Sequence, residues 1–336
     1  LVVESLRQTE GEPQIVRRAK ATAHYLDERT VFIEDDELIV GNVASRPMGM
    51  EAGCMGPAWS EEDLKDLRKG TLSISDEDAA LLRSLDSYWK EKGRTLDERQ
   101  GQFYDDERLW PFIQSGILCP PWQNRIEGRG SGSAGAGWGL GLGLCLILPD
   151  YAKALNEGLA KIIRDAEAEL KDLRYGSLDA IKKADFLRSV LIVIPAIIRI
   201  AGRFAGLASE KASKEQNPRR KKELENIGEA CRHVPANPPR TFYEAMQSFW
   251  FIWLMVAGGT TPGGRFDQFM YPFYKKDRRD GLISDSEVLE LLELLRIKVM
   301  QLNFIGGGKG QREKWAGMAR WNNWVIGGVT PDGEDA

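Results

Sequence analysis

Apolar residues spaced by three and four set most of this chain as helix. From Glu12 to Arg29, the residues Ile15, Val16, Ala19, Ala23 and Leu26 fall on one helical face. Asp150 to Leu173 reads as one long amphipathic helix, with Leu155, Leu159, Ile162, Ile163 and Ala166 inward. Leu178 to Lys214 is a longer helical stretch that Pro195 should kink. Its apolar run, Val190–Ile198, is about half the ~20 residues of a membrane span and lies between Arg188 and Arg199, so it reads as a buried core helix. After a turn at Asn217-Pro218, Arg219 to Cys231 is helical, and the basic run Arg219–Lys222 reads as a solvated face rather than a nucleic-acid patch. Thr241 to Val256 is almost wholly apolar, and such a helix must be buried on nearly all sides. Ser60 caps a short helix, Ser75 or Asp76 one running to about Lys92, and Ser284 or Asp285 one running to Gln301.

Strand signals are few. Val31–Ile33 and Leu38–Val40 are short and β-branched, and the acidic Glu34–Glu37 turn between them predicts a small strand pair. Trp324–Val329 predicts a buried strand. Residues 93–125 show no period and carry Pro111, Pro120 and Pro121, which predicts irregular chain. The run Gly128–Gly143 invites a nucleotide-loop reading. No strand precedes it, GxxxxGK[ST] is absent and its only cation is Arg129, so tight backbone passage over a buried pocket is the stronger reading. With no repeat or linker, the chain reads as one packed unit.

Composition narrows the chemistry. Lys and Arg number 46 against 50 Asp and Glu over 336 residues, a net charge of −4 that offers nucleic acid no basic field. Only His24 and His233 are present, which excludes a histidine-rich metal site and most histidine acid–base catalysis; both read as structural. Cys54, Cys119, Cys145 and Cys231 lack the spacing of zinc or iron–sulfur frameworks, and so few cysteines fit a reducing cytoplasm. Both ends look cut, so the chain reads as a fragment. Arg265 and Asp267 stand two apart between a glycine stretch and an aromatic run, which predicts a buried ion pair fixing a pocket wall, with helix capping by Asp267 as the alternative. Breaking a pair of that kind costs on the order of 3–5 kcal/mol. The residues alone therefore reach a glycine-lined, tryptophan-rich, histidine-poor pocket, and no reaction.

Four ordered stretches carry a resemblance. They are Asp36–Asn42, Cys231–Trp250, Pro262–Asp277 and Val325–Gly333, joined by the spacing Asp277, Gly281, Ile283 ahead of a long helix. Together they resemble the glycyl radical enzymes, the pyruvate formate-lyase-like superfamily, over essentially the whole chain. The resemblance implies an α/β fold in which residues 1–336 are the N-terminal portion of a single domain. That portion would be the first half of a ten-stranded barrel wrapped in helices, itself mostly helical. It implies anaerobic radical C–C bond chemistry in the cytoplasm, with no bound cofactor or metal in this part. The catalytic Cys and the radical-bearing Gly would lie downstream, the radical installed by a radical SAM activating enzyme. A homodimer, with small accessory subunits, is the expected assembly. Arg203–Leu207 imitates the glycyl loop but sits inside a helix, and is rejected.

The same resemblance places Leu146 where relatives acting on pyruvate or glycerol carry an Arg or His, and places Gly258–Thr261 and the neighbourhood of Trp315 and Trp321 at the substrate. The expected substrate contacts are Leu146, Gly259, Thr260, Thr261, Trp315 and Trp321, with Arg265 and Asp267 as the structural pair. Such a wall favours an apolar or aromatic substrate. Hydrocarbon addition to fumarate is the expected reaction. An arylacetate decarboxylase or another glycyl radical lyase or dehydratase is the alternative, and a catalytically dead relic or helical interaction protein the alternative of another class.

Overall fold

The structure is a computed structural model that describes residues 1–42, 44–47, 51–52, 65, 74–92, 108, 148–256, 263–301, 304–305, 324–327, 329 and 333. The chain divides into two compact units. The first comprises residues 1–51, 145–303 and 320–336; the second comprises 52–144 and 304–319. In chain order the described elements are α1 (Val2–Gln8), α2 (Gln14–Glu28), β1 (Glu51–Ala52), α3 (Asp76–Lys92), α4 (Tyr151–Glu157), α5 (Leu159–Asp172), α6 (Leu178–Lys214), α7 (Pro218–His233), α8 (Phe242–Val256), α9 (Phe266–Arg279), α10 (Asp285–Gln301) and β2 (Phe304–Ile305). The described chain is thus predominantly helical, as expected. The Ser60 helix, apart from the helical Lys65, lies outside the described residues, as do the glycine run and nearly all of 93–125.

In the second unit, α3 starts where expected: the Ser75 hydroxyl accepts from the Asp78 N–H at 3.0 Å. In the first unit α6 is the spine, with α2, α5 and α7 packed along it. It continues through Pro195 for 37 residues and starts on Ser177, whose hydroxyl accepts from Ala180 N–H. Among the described residues α6 is long and apolar enough to cross a membrane by length and composition. Of the apolar run Val190–Ile198 only Ala196 and Ile197 are buried and the rest are half-buried, so the expected buried helix holds only in part; Ile200, Ala201, Phe204 and Ala208 beyond it are buried in this unit. The centre of the core is α8, where Phe249, Trp250, Phe251 and Trp253 are at most 1% exposed. Helix α10 opens with a reciprocal cap, since the Ser284 hydroxyl accepts from Glu287 N–H and the Glu287 carboxylate accepts from Ser284 N–H.

Four sequence expectations need correction. The single helix over 150–173 is two, α4 and α5, broken at Gly158. That residue has φ +73°, and a Cβ there would lie 2.6 Å from the Ala236 carbonyl oxygen. The chain gives up continuity because the first N–H groups of α5 have other acceptors: Leu159 and Ala160 donate to the Pro235 and Ala236 carbonyls, each at 2.9 Å. The basic run Arg219–Lys222 is not wholly solvated. Arg219 is exposed, but the Arg220 side chain is 12% exposed and donates to the carbonyls of Glu34 and Glu37.

The strand pair over 31–40 does not form. Helix side chains take the backbone bonds that a ladder would use. Lys211 donates to Ile33 O at 2.6 Å and Tyr243 to Leu38 O at 2.7 Å. Gln247 accepts from Val40 N–H and donates to Val40 O, and Trp250 Nε1 donates to Gly41 O. Beneath this irregular segment Glu37 pairs with Lys298 of α10, both side chains at most 7% exposed. Trp324–Val329 is likewise not a buried strand. Trp324 forms a single parallel bridge with Gly264, and Val325, Ile326 and Val329 are 52%, 75% and 55% exposed.

Candidate functional site

Of the sequence-predicted site residues, Arg265 and Asp267 are described; Leu146, Gly259, Thr260, Thr261, Trp315 and Trp321 lie outside the described residues. The described pair sits where the chain enters α9. Gly264 has φ +62°, and a Cβ on it would meet Leu148 Cδ1 at 2.8 Å, so the approach to α9 needs glycine there. The Gly264 carbonyl accepts from Val325 N–H at 3.0 Å. Arg265 Nη2 then donates to Gly327 O at 2.8 Å, and Asp267 Oδ2 accepts from Gly327 N–H at 2.9 Å. Gln268 Nε2 donates to Val329 O at 2.8 Å. Within the pair, Arg265 Nε and Asp267 Oδ1 are 3.3 Å apart.

The expected buried ion pair is therefore a clip. Its side chains are 36% and 21% exposed, and besides bonding each other both hold the backbone of Gly327. The capping alternative does not describe it either. The N-cap position of α9 is Arg265, which makes no side-chain cap bond, and Asp267 lies in the first turn. Burial raises the affinity of the Asp267 carboxyl for its proton. The hydrogen bonds from Arg265, Gln268 N–H and Gly327 N–H, with the Arg265 charge, outweigh that, and the group titrates below the ordinary carboxyl range.

An aromatic wall stands behind the clip. The Trp324 ring centroid is 4.8 Å from that of Phe266, 5.5 Å from Phe249 and 6.1 Å from Trp253. A Cβ at Gly263 would come within 2.8 Å of the Trp324 indole, so the Gly263-Gly264 pair is what lets the ring lie flat on the backbone. Tyr151 extends the wall, 4.8 Å from Phe249 and 5.4 Å from Phe269. Sequence reasoning missed Tyr151, Gln247 and Lys298 as organising residues. A lone Gln and a lone Lys on helical faces otherwise apolar were the available signal.

Among the described residues, the histidines and the one cysteine have structural roles. His24 Nε2 lies 3.1 Å from Glu4 Oε2, and His233 Nε2 lies 2.9 Å from Pro238 O. Cys231 is buried inside α7, and burial pushes its thiol well above the usual range, which does not suit a reactive sulfur. Arg203–Leu207 lies within α6, so no glycyl loop forms there. Among the described residues no group of three or more His, Cys, Asp or Glu could hold a metal. A cavity of about 570 Å³ is lined by α7, α8, α9 and α10. Of its acids, Glu223 pairs with Arg219 and Arg220, Asp277 accepts from Phe242 N–H through Oδ2 at 2.6 Å while its buried Oδ1 makes no hydrogen bond, Glu287 caps α10, and Glu290 is exposed.

Comparison with known proteins matches residues 1–336 to the pyruvate formate lyase-like family. Isethionate sulfite-lyase of Oleidesulfovibrio alaskensis is 32% identical over 358 residues, an alignment spanning 100% of this chain and 40% of that protein. A structure described for 1,2-propanediol dehydration in Roseburia inulinivorans matches with a TM-score of 0.83 at 30% identity, covering 100% of this chain and 39% of that one. The glycerol-bound form of the B12-independent glycerol dehydratase from Clostridium butyricum matches at 0.81 and 31%, covering 100% and 41%. The chain thus spans about 40% of the length of the relatives it matches.

Proposed function

Because the chain belongs to the pyruvate formate lyase-like family, we propose that the full-length protein is a glycyl radical lyase or dehydratase that eliminates a leaving group from a small functionalised substrate. The observation that carries this is the end-to-end match, at a TM-score of 0.83, to a structure described for diol dehydration. The isethionate sulfite-lyase likeness agrees with it. The relatives named are lyases and dehydratases, so elimination, carried above as the alternative, replaces hydrocarbon addition to fumarate as the favoured reaction. A glycyl radical would supply the means of homolytic bond cleavage. Among the described residues neither Cys231 nor the Arg203–Leu207 stretch suits the radical-bearing or thiol role, and the family resemblance would put those groups in the rest of the protein.

The residues of this chain would build part of the pocket. Leu146, Gly259, Thr260, Thr261, Trp315 and Trp321 would face the substrate, and Arg265 with Asp267 would hold the wall behind them. A radical SAM activating enzyme, a homodimeric assembly and a cytoplasmic location belong to the same proposal. The test is anaerobic. Activated full-length protein is offered isethionate, 1,2-propanediol, glycerol, pyruvate with coenzyme A, and toluene with fumarate. Elimination from isethionate or a diol is expected, with a glycyl radical signal in the electron paramagnetic resonance spectrum. Turnover confined to pyruvate or to toluene with fumarate overturns the elimination reading, and absence of the radical after activation supports a relic.

A further inference from the structure

We propose that Asp267 is a positioning residue for the substrate pocket: through the Gly327 peptide it locks the register of the segment beginning at Trp324 against the segment beginning at Gly263. The proposal rests on the preceding reading of where the pocket lies. Three observations carry it.

The first is register. Gly264 bridges Trp324 in parallel, and three residues further on Asp267 takes the N–H of Gly327, 60 positions away in sequence. The bridge joins the two segments through backbone, and the Asp267 side chain, in the first turn of α9, ties the same two segments a second time. Thr261 and Trp321, assigned to the pocket wall in the preceding proposal, each stand three residues before the bridged pair in sequence.

The second is the use of both sides of one residue. Asp267 Oδ2 holds the Gly327 N–H while Arg265 Nη2 holds the Gly327 carbonyl, and Asp267 Oδ1 steers Arg265 through Nε. Gly327 itself has φ +79°. Fixing the N–H and C=O of a residue in that conformation fixes the backbone's direction as well as its distance. A slip of one residue would also take the Trp324 indole off Gly263, where the absence of a Cβ makes room for it.

The third is exposure. The clip is partly open to solvent, so its loss leaves the core of α8 intact. Position should therefore change more than stability, and a displaced pocket wall should be felt chiefly in substrate binding.

The experiment uses the full-length protein with Asp267→Ala, Asp267→Asn and Gln268→Ala. Backbone hydrogen exchange over residues 325–329 is measured before activation, and radical content, kcat and KM after it, on the panel compound that the wild type consumes. For Asp267→Ala the expected result is exchange at least ~10-fold faster, KM raised ~10-fold, kcat within ~3-fold and radical content unchanged. Asp267→Asn, which keeps an acceptor for Gly327 N–H, should recover part of both effects, and Gln268→Ala should show less of each. Unchanged exchange overturns the proposal, and so does faster exchange with an unchanged KM. If Asp267→Ala does not fold, Asp267→Asn is judged by the same two criteria. A wild type that never acquires the radical or consumes no panel compound overturns the functional reading instead, and the exchange data still judge the clip.

Discussion

Two segments of the first unit, residues 31–42 and the stretch from Trp324, pose the same problem and meet it differently. Both are short, β-branched and patterned like strands, and neither joins a sheet among the described residues. Side chains take backbone bonds in both, although Val325 N–H goes to the Gly264 carbonyl. At 31–42 the bonds lie in a dry interior, over Gln247, Trp250 and the enclosed Glu37–Lys298 pair. At Trp324 they lie half in water, over the Arg265–Asp267 clip. The same chemistry is worth more in the first place, because an unmade bond there leaves a group that water cannot reach. In the second place solvent replaces what is lost, and the bond chiefly fixes position.

The largest expected effect follows from the dry site. Lys298→Ala or Glu37→Ala should each cost about 3–5 kcal/mol, since either leaves an uncompensated buried charge. Urea unfolding of the full-length protein would measure it. Replacing both residues with Met should cost less than either single change. Single losses below about 1 kcal/mol would place the pair in contact with water and remove the contrast.

Next comes Gln247→Leu, which strips partners from both polar groups of Val40 while preserving volume. At about 1–3 kcal/mol for each of the two unsatisfied buried groups, less about 2 kcal/mol at most returned by the buried leucine, the expected loss is about 2–4 kcal/mol. Protection of the Val40 amide against hydrogen exchange should fall with it. A loss matching that of a surface substitution would mean that a water takes over the bonds.

Asp267→Ala should be milder, at about 1 kcal/mol, because a partly exposed pair is screened and its backbone partners can be hydrated. This is well below the 3–5 kcal/mol order that the sequence reading attaches to a buried pair. A loss of that larger size would show the clip to be enclosed in the full-length protein.

The gap between sequence and structure lies in what pairs with what. The helices were legible because their signals are local: apolar spacing, Asn217-Pro218 at the start of α7, the Ser284–Glu287 cap of α10. The break at Gly158 was not, because α5 is capped by carbonyls of Pro235 and Ala236, nearly eighty residues away. The missing strands were not, because a β-branched triplet looks the same whether a strand or Gln247 answers it. In the site, Arg265 and Asp267 were picked out by residue type and spacing, but their common partner, Gly327, is a backbone group that no side-chain pattern announces. The family was legible for the opposite reason: its motifs record long-range pairings already selected, so matching four in order stands in for contacts that a single sequence does not display.

The finest test of the comparison is the pH dependence of stability, where the two carboxyls should act in opposite directions. For Glu37, burial is the largest influence and raises its proton affinity. The Lys298 charge and hydrogen bond and the Glu34 N–H oppose it, the Glu34 charge adds to it, and the net shift is upward from 4.5. The folded state then binds this proton more tightly than the unfolded chain does. Its contribution is fully present below pH 4.5 and is lost as pH rises through the raised value. Asp267 is the reverse, its folded value lying below 3.8. Its contribution is present above pH 3.8 and is lost as pH falls through the lowered value. Unfolding free energies between about pH 3 and 7 should therefore respond in separate limbs. Glu37→Gln should remove a downward slope on the neutral side of 4.5, and Asp267→Asn should remove an upward slope on the acid side of 3.8. Slopes rather than absolute stabilities are compared, because Glu37→Gln also leaves Lys298 without its carboxylate. If both variants flatten the same limb, the two pairs share one environment, and the division into a dry anchor and a half-open clip fails.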